Sequence, residues 1–239
     1  MERSLNVGAV IDRIFKIYVD QASVLLPAAA VVFVLTAILS EVLIAAAPAL
    51  VLVALVISLV ATTLFTGMVV ELVADVQDGR RDATVGQLLR AVKPAIGSLI
   101  LVGIVAGIAI GIGLVLIIVP GLILITIWAV FAPVIVLEHP PGLGALGRSR
   151  ELVRGNGWQV FAVIFVLVIG VEIVALVIEG VAASAGLGVG IVVRVVVQIL
   201  AAPLAALAAS VLYFELRGPS PVTTTEPTQP AMPNPMDAG

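Results

Sequence analysis

SLILVGIVAGIAIGIGLVLIIVPGLILITIWAVFAPVIVLE, residues 98–138, carries no ionisable side chain before its last position, Glu138. As a helix rising ~1.5 Å per residue it is about twice the length needed to cross a hydrocarbon core of ~30 Å. The only punctuation inside it is Val119-Pro120-Gly121. We read a tight hairpin there, joining two spans. The alternative, one long kinked helix, is far too long to cross once. The whole chain agrees with this stretch: 62% of its 239 residues are hydrophobic and 11% are charged, and mean hydropathy is +1.27. Soluble domains carry roughly a quarter charged residues, so one aqueous core cannot absorb this much apolar surface.

Working outward, six apolar runs reach spanning length, near 22–46, 49–74, 95–118, 120–138, 158–182 and 189–214. Backbone groups in lipid must be satisfied internally, which helices do. No ten-residue block alternates with a period of two, which argues against a barrel. The expected fold is an all-α polytopic membrane protein: six transmembrane helices as three hairpins, in a membrane domain covering residues 1–216. Residues 217–239, rich in Pro and Thr, read as a disordered tail. The first segment is amphipathic and mixed in charge, unlike a cleavable signal.

The basic residues are sorted by side. Arg3, Arg13 and Lys16 precede the first span. Arg80, Arg81, Arg90 and Lys93 follow the second, Arg148, Arg150 and Arg154 follow the fourth, and Arg217 follows the sixth. Arg194 alone falls on the opposite side. The positive-inside rule then puts both termini in the cytoplasm.

Three cytoplasmic stretches begin alike: NVGAVIDRIFKIY at 6–18, TVGQLLRAVK at 84–93 and GLGALGRSRELVRGN at 142–156. Each opens on a residue able to cap a helix (Asn6, Thr84, Gly142), then an apolar residue and a glycine. Thr84 and Gln87 fit a capping box. Val7, Ile11, Ile14, Phe15 and Tyr18 form one helical stripe. Val85, Leu88, Leu89 and Val92 form a second, and Ala145, Leu146, Ser149, Leu152 and Val153 a third. These helices are too short and too charged to span. They suit the membrane interface, apolar face down, with Arg90, Lys93, Arg148, Arg150 and Arg154 as candidate contacts for lipid headgroups. Each would precede one hairpin, making a threefold repeat.

Ionisable groups inside the spans cost about 2.5–3.5 kcal/mol on insertion scales unless partnered. Arg194 is expected to pair with Glu172 or Glu179, as a helix–helix clamp; a polar pocket serving a transporter or lipid-handling protein is the alternative. Glu41 is expected to reach the outer interface, and Glu138 to meet a loop arginine. Gly103, Gly107 and Gly111 recur every fourth residue and form a smooth packing face. Pro133 and Pro203 should kink their helices.

Chemistry is sparsely represented. The chain lacks cysteine and has one histidine, His139, which excludes thiolate and multi-histidine metal sites within one chain. His139 and Ser149 are the only nucleophile–base pair to consider, and an interfacial histidine beside a small packing serine is the simpler account. No cofactor is expected. The expected partners are membrane lipids and a membrane protein or a second copy. The basic residues are scattered and lack stacking aromatics, so nucleic acid is not expected.

Residues 120–161 resemble a bacterial integral-membrane family that includes the membrane domain fused to some glycerophosphoryl diester phosphodiesterases and the stand-alone YciC-like proteins. The resemblance rests on Pro120, Trp128, Pro133, Glu138, Ala145, Leu146, Arg148, Ser149, Leu152, Gly155, Trp158 and Phe161. The start LNVGAVIDRIFKIY resembles the family's opening helix. The phosphodiesterase activity of the fused proteins lies in a separate soluble barrel, for which this chain has no room. The resemblance therefore implies a bacterial inner-membrane protein and no enzyme assignment. The expected function is a non-enzymatic scaffold or accessory subunit, with a transporter or lipid-handling protein as the alternative.

Overall fold

The computed structural model describes residues 5–78 and 85–218. Arg3, Arg80, Arg81, Thr84 and the tail from 219 onward lie outside the described residues, as do the side chains of Val85 and Leu89. Among the described residues every regular element is helical. Helix α1 is Val7–Asp20 and α2 is Ala22–Ala46. A 3-10 turn, Pro48–Leu50, leads into α3, Val51–Gln77. Helix α4 is Val85–Val92, and a second 3-10 turn, Lys93–Ala95, leads into α5, Ile96–Leu116. Then come α6 (Ile118–Ile127), α7 (Phe131–Glu138), α8 (Gly144–Val153) and α9 (Gly157–Ile164). A π-helical stretch, Phe165–Ile169, joins α9 to α10 (Gly170–Ser184), and α11 is Leu187–Arg217.

Six of the resulting segments are long and apolar enough to cross a membrane: Ala22–Ala46, Pro48–Gln77, Gly86–Leu116, Ile118–Glu138, Gly157–Ser184 and Leu187–Arg217. Their outward residues are aliphatic, among them Leu35, Leu52, Ile108, Ile123, Val177 and Val192. A belt this continuous is far beyond the few hundred Å² of apolar patch that water tolerates, and lipid is its solvent. Four hydroxyls within the spans are tied back to the helix: Thr36 donates to the Val32 carbonyl, Thr63 to Leu59, Thr66 to Thr62 and Ser210 to Ala206, at 2.7–2.9 Å. No water is needed to satisfy these four. The buried Ser40 hydroxyl has no partner among the described residues.

Consecutive spans pack on each other, α2 on α3, α5 on α6 and α10 on α11. Only Ala47 with the Pro48–Leu50 turn, Ile117 and Ala185-Gly186 separate them. The turn between α5 and α6 is thus earlier than the expected Val119-Pro120-Gly121. Ile117 is extended (φ −153°, ψ 124°), and Pro120 sits in the first turn of α6, where its missing N–H costs no hydrogen bond. Gly121 explains the closeness of the pair. A Cβ there would lie 2.5 Å from Leu114 Cγ and 2.7 Å from the Leu114 backbone nitrogen.

The glycine face on α5 is used in part. A Cβ at Gly103 would meet Thr63 Oγ1 at 2.9 Å, and one at Gly107 would meet Leu59 Cδ2 at 3.0 Å. Both therefore let α3 approach. Gly111 differs from the expectation: nothing lies within 4 Å of its Cβ position. Gly113, two residues past Gly111, faces Gly121: a Cβ built on it would lie 3.1 Å from the Gly121 Cα.

The core is concentrated at one end of the bundle. Met68, Val69, Val70 and Val73 of α3, Leu207, Val211 and Leu212 of α11, and Val134–Val136 of α7 are all buried there. Helix α10, by contrast, buries Ala175 alone. The three short charged helices cover this dense end. Asn6 caps α1 as expected, accepting from the Ala9 N–H at 3.1 Å. The third start differs: Leu143, not Gly142, is the N-cap of α8 and supplies no side-chain bond.

Their apolar faces are also spent differently from the expectation. Val10, Ile14 and Ile17 of α1 are buried against the protein, chiefly α11, α9 and α2. Ala145, Leu146, Ser149 and Val153 of α8 pack on α7, α6 and α11. Helix α4 buries Leu88 and Val92 beside α3. Hydrophobic burial against the bundle, not immersion in lipid, occupies these stripes. Phe15, assigned to the first stripe, is 46% exposed and lies on a second, outward apolar facet with Val19.

Candidate functional site

The fourth span is broken in its middle, and the break organises the site. Pro133 cannot donate to a carbonyl one turn back, so the helix stops at Ile127 and restarts at Phe131, with Pro133 again in a first turn. Across the break the backbone re-pairs short: the Ala129 N–H donates to Thr126 and the Phe131 N–H to Trp128, both at 3.3 Å. That leaves the Ile127 carbonyl and the Val130 N–H without their helical partners. Ser149 of α8, 0% exposed, serves both. Its hydroxyl donates to the Ile127 carbonyl at 3.0 Å and accepts from the Val130 N–H at 3.3 Å. One buried hydroxyl bolts the interrupted span shut.

A carboxylate pins the other end of α7. Glu138 accepts from Arg148 Nε at 2.9 Å and from the Tyr213 hydroxyl at 2.9 Å, so α7, α8 and α11 meet on one side chain. Arg217 reaches back to donate to the Tyr213 oxygen at 3.2 Å, its guanidinium carbon 5.9 Å from the ring centroid. Arg148 also donates to Glu151 at 3.3 Å. The hydrogen bond to Glu138 leads in raising the Arg148 guanidinium further above its ordinary pKa. Arg13 of α1 holds Glu215 of α11 at 2.6 Å. Tyr213 is 0% exposed. Tyr213→Phe is expected to lower stability by about 1.5–3 kcal/mol, the usual worth of a hydrogen bond to a charged group. Thermal unfolding in mild detergent measures it, and an unshifted midpoint would remove Glu138 as a hub.

This network absorbs Arg148, which the sequence had offered to lipid headgroups. It also engages Ser149, whose proton and lone pair both go to backbone groups. His139, the proposed basic partner of Ser149, is an exposed left-handed cap (φ 51°) ending α7. The two do not meet in a hydrogen bond.

Arg150 and Arg154 have a different setting. They stand one turn apart at the exposed end of α8 and have no ion-pair partner among the described residues. With Glu151, Val153, Gly155, Gly157 and Ile127 they line a pocket of 420 Å³. Gly155, at φ 93°, makes the reversal from α8 into α9. Asn156, the N-cap of α9, supplies no side-chain bond. Arg90 and Lys93 are likewise exposed, beside α3 and α5.

At the far end of the bundle Arg194 lies between two carboxylates. Its Nε is 3.6 Å from Glu179 of α10, and its Nη1 is 3.9 Å from Glu41 of α2. The expected partner Glu179 is present. Glu172, the other candidate, makes no ion pair among the described residues, because it lies two turns deeper along α10. Glu41, expected at the interface alone, joins Arg194 instead, so the clamp ties three helices. Sequence spacing could not find Glu41, since its helix lies far away in the chain and α2 meets α11 only in the folded bundle.

Most of the residues singled out between 120 and 161 have a definite local position. Pro120 and Pro133 start helices, Trp128 marks the break, Glu138 and Arg148 pair, and Ser149 bolts the break. Gly155 reverses the chain, and Trp158 and Phe161 stack edge-on at 5.7 Å. Tyr213 and the Arg13–Glu215 pair are the members that sequence reading missed.

Six lipid-facing helices make this chain a multi-pass integral membrane protein. No protein-family model, curated protein or solved structure matches it.

Proposed function

We propose that the chain is a non-enzymatic scaffold or accessory subunit of a bacterial inner membrane, with both termini cytoplasmic. In this reading its basic face engages anionic lipid headgroups or a membrane partner. One observation carries it. The basic residues divide into those paired within the chain, Arg13, Arg148 and Arg217, and those exposed with no ion pair among the described residues, Lys16, Arg90, Lys93, Arg150 and Arg154. Exposed cations beside a hydrocarbon belt meet the anionic leaflet, at about 1 kcal/mol each. The likeness of residues 120–161 to the phosphodiesterase membrane domain and the YciC-like proteins supports the same class, a membrane part.

The test is native mass spectrometry of the protein extracted with its surrounding membrane. We expect bound anionic phospholipid enriched over its share of the bulk membrane, or a second protein in fixed ratio. Changing Lys16, Arg90, Lys93, Arg150 and Arg154 to Gln should abolish that enrichment or release that protein. A lone chain carrying the bulk lipid composition would overturn the reading.

A further inference from the structure

The cationic pocket beside Arg150 and Arg154 has a neighbour. It shares Ile127 and Gly157 as wall residues with a second cavity, a groove of 380 Å³ between α6 and α9. The groove is lined by Leu122, Ile123 and Thr126 of α6 and by Trp158 and Phe161 of α9. Its walls offer an occupant almost no polar group. The Thr126 hydroxyl is turned away onto the Leu122 carbonyl at 2.8 Å. The outer rim, Ile123 and Trp158, is 53% and 81% exposed. One end is thus a pair of unpartnered guanidinium groups and the other a greasy trough.

We propose that this composite groove binds one anionic phospholipid, its phosphate held by Arg150 and Arg154 and one acyl chain lying along α6 between Leu122 and Phe161. This deepens the lipid-engaging reading above and rests on it. Three features on the page select that occupant. Charge complementarity comes first. Arg150 and Arg154 face the pocket without a partner, and the carboxylate beside them, Glu151, is already held by Arg148 at 3.3 Å. Length comes second. The ten residues of α6 rise about 15 Å from the break at Ile127 toward the α5–α6 turn, long enough to lie beside one acyl chain. Location comes third. The mouth lies at Gly157, where the fifth span begins, and the exposed Trp158 beside it is the residue type that settles at the headgroup level.

Chain and headgroup are bound together, so the site differs from a charged surface in a testable way. A Cβ at Gly157 meets nothing within 4 Å, so Gly157→Leu fills the junction without displacing packed atoms. The experiment uses the full chain in bilayers that mix phosphatidylglycerol and phosphatidylcholine, with one or the other carrying brominated acyl chains. Quenching of Trp158 reports which lipid lies in the groove, and the Trp158→Phe variant supplies the Trp128 signal to subtract. Each arginine should contribute about a fivefold preference for the anionic lipid, and the pair about twenty-five-fold. Arg150→Gln with Arg154→Gln should bring the preference to about one, and Gly157→Leu should do so with both arginines present. Arg90→Gln with Lys93→Gln should leave the preference at Trp158 unchanged.

If Gly157→Leu keeps the full preference, the arginines read headgroups at an open surface. The groove proposal then fails while the broader lipid-engaging reading stands. Equal quenching by both lipids in the unmodified protein overturns the groove proposal as well, and the enrichment experiment above then decides the broader reading separately. Unchanged unfolding midpoints in the variants show that a lost preference is not lost folding.

Discussion

Ser149→Ala is expected to lower the unfolding free energy by about 2–4 kcal/mol, far more than deleting one ordinary serine hydroxyl. The reason is where the two bonds end. The Ile127 carbonyl and the Val130 N–H are backbone groups at a break in a membrane span, and Ser149 is their partner at 3.0 and 3.3 Å. An exposed helix break would turn to water. Here the serine is fully buried and Val130 is 0% exposed, so removing the hydroxyl leaves a donor and an acceptor unpaired together. Hydrogen exchange should localise the effect: the Val130 amide should lose protection in the variant before the rest of α7 does. Gly147→Ala is the control, an exposed position on the same helix where a Cβ meets nothing within 4 Å. A variant with unchanged midpoint and a still-protected Val130 amide would mean that the break holds without its bolt.

The second large effect is expected at Gly121. A methyl group there would sit 2.7 Å from the Leu114 backbone nitrogen. Leu114's side chain can rotate away, but its backbone cannot move without separating α5 from α6. Gly121→Ala should therefore cost about 1–3 kcal/mol, in the manner of an overpacked core. Gly113→Ala, whose Cβ would meet Gly121 Cα at 3.1 Å, should cost less. Gly111→Ala should be neutral or gain up to about 1 kcal/mol of helix propensity, since nothing opposes its methyl group. Unfolding midpoints of the three variants in one detergent rank them, and any order other than 121, 113, 111 contradicts the close approach at this turn.

Gly121 also shows how far a linear reading reaches. Val119-Pro120-Gly121 looks like a turn because Pro and Gly so often make one. In the fold the turn is at Ile117, an aliphatic residue with no turn preference. The glycine is needed for helix proximity and the proline for a helix start. The i, i+4 glycine stripe was similarly half informative. Gly103 and Gly107 met α3, but Gly111 lay past the place where the two helices stay close. Spacing says which residues share a face. It does not say how far along that face a neighbour continues.

The charged pairs divide in the same way. Glu138 with Arg148, ten residues apart, is a local match that the short loop between α7 and α8 makes easy to anticipate. Tyr213 with Glu138, Arg13 with Glu215 and Glu41 with Arg194 link residues from distant parts of the chain. Nothing in the local pattern announces them.

What the sequence by itself determined is the solvent. Long runs without charge can satisfy their backbone in lipid only as helices, so the number and place of the spans follow from hydropathy. What only the tertiary structure decided is which surfaces remain free. The stripes on α1 and α8, and Leu88 and Val92 of the α4 stripe, carry the periodicity of lipid-seeking helices, yet the bundle covers them. Arg148 has the same composition-level credentials as Arg150 and Arg154, yet of the three only the latter two have no ion pair among the described residues. An apolar face gains similarly from lipid or from protein, and an arginine from a phosphate or from a carboxylate. The choice therefore falls to whichever partner the folded chain brings within reach.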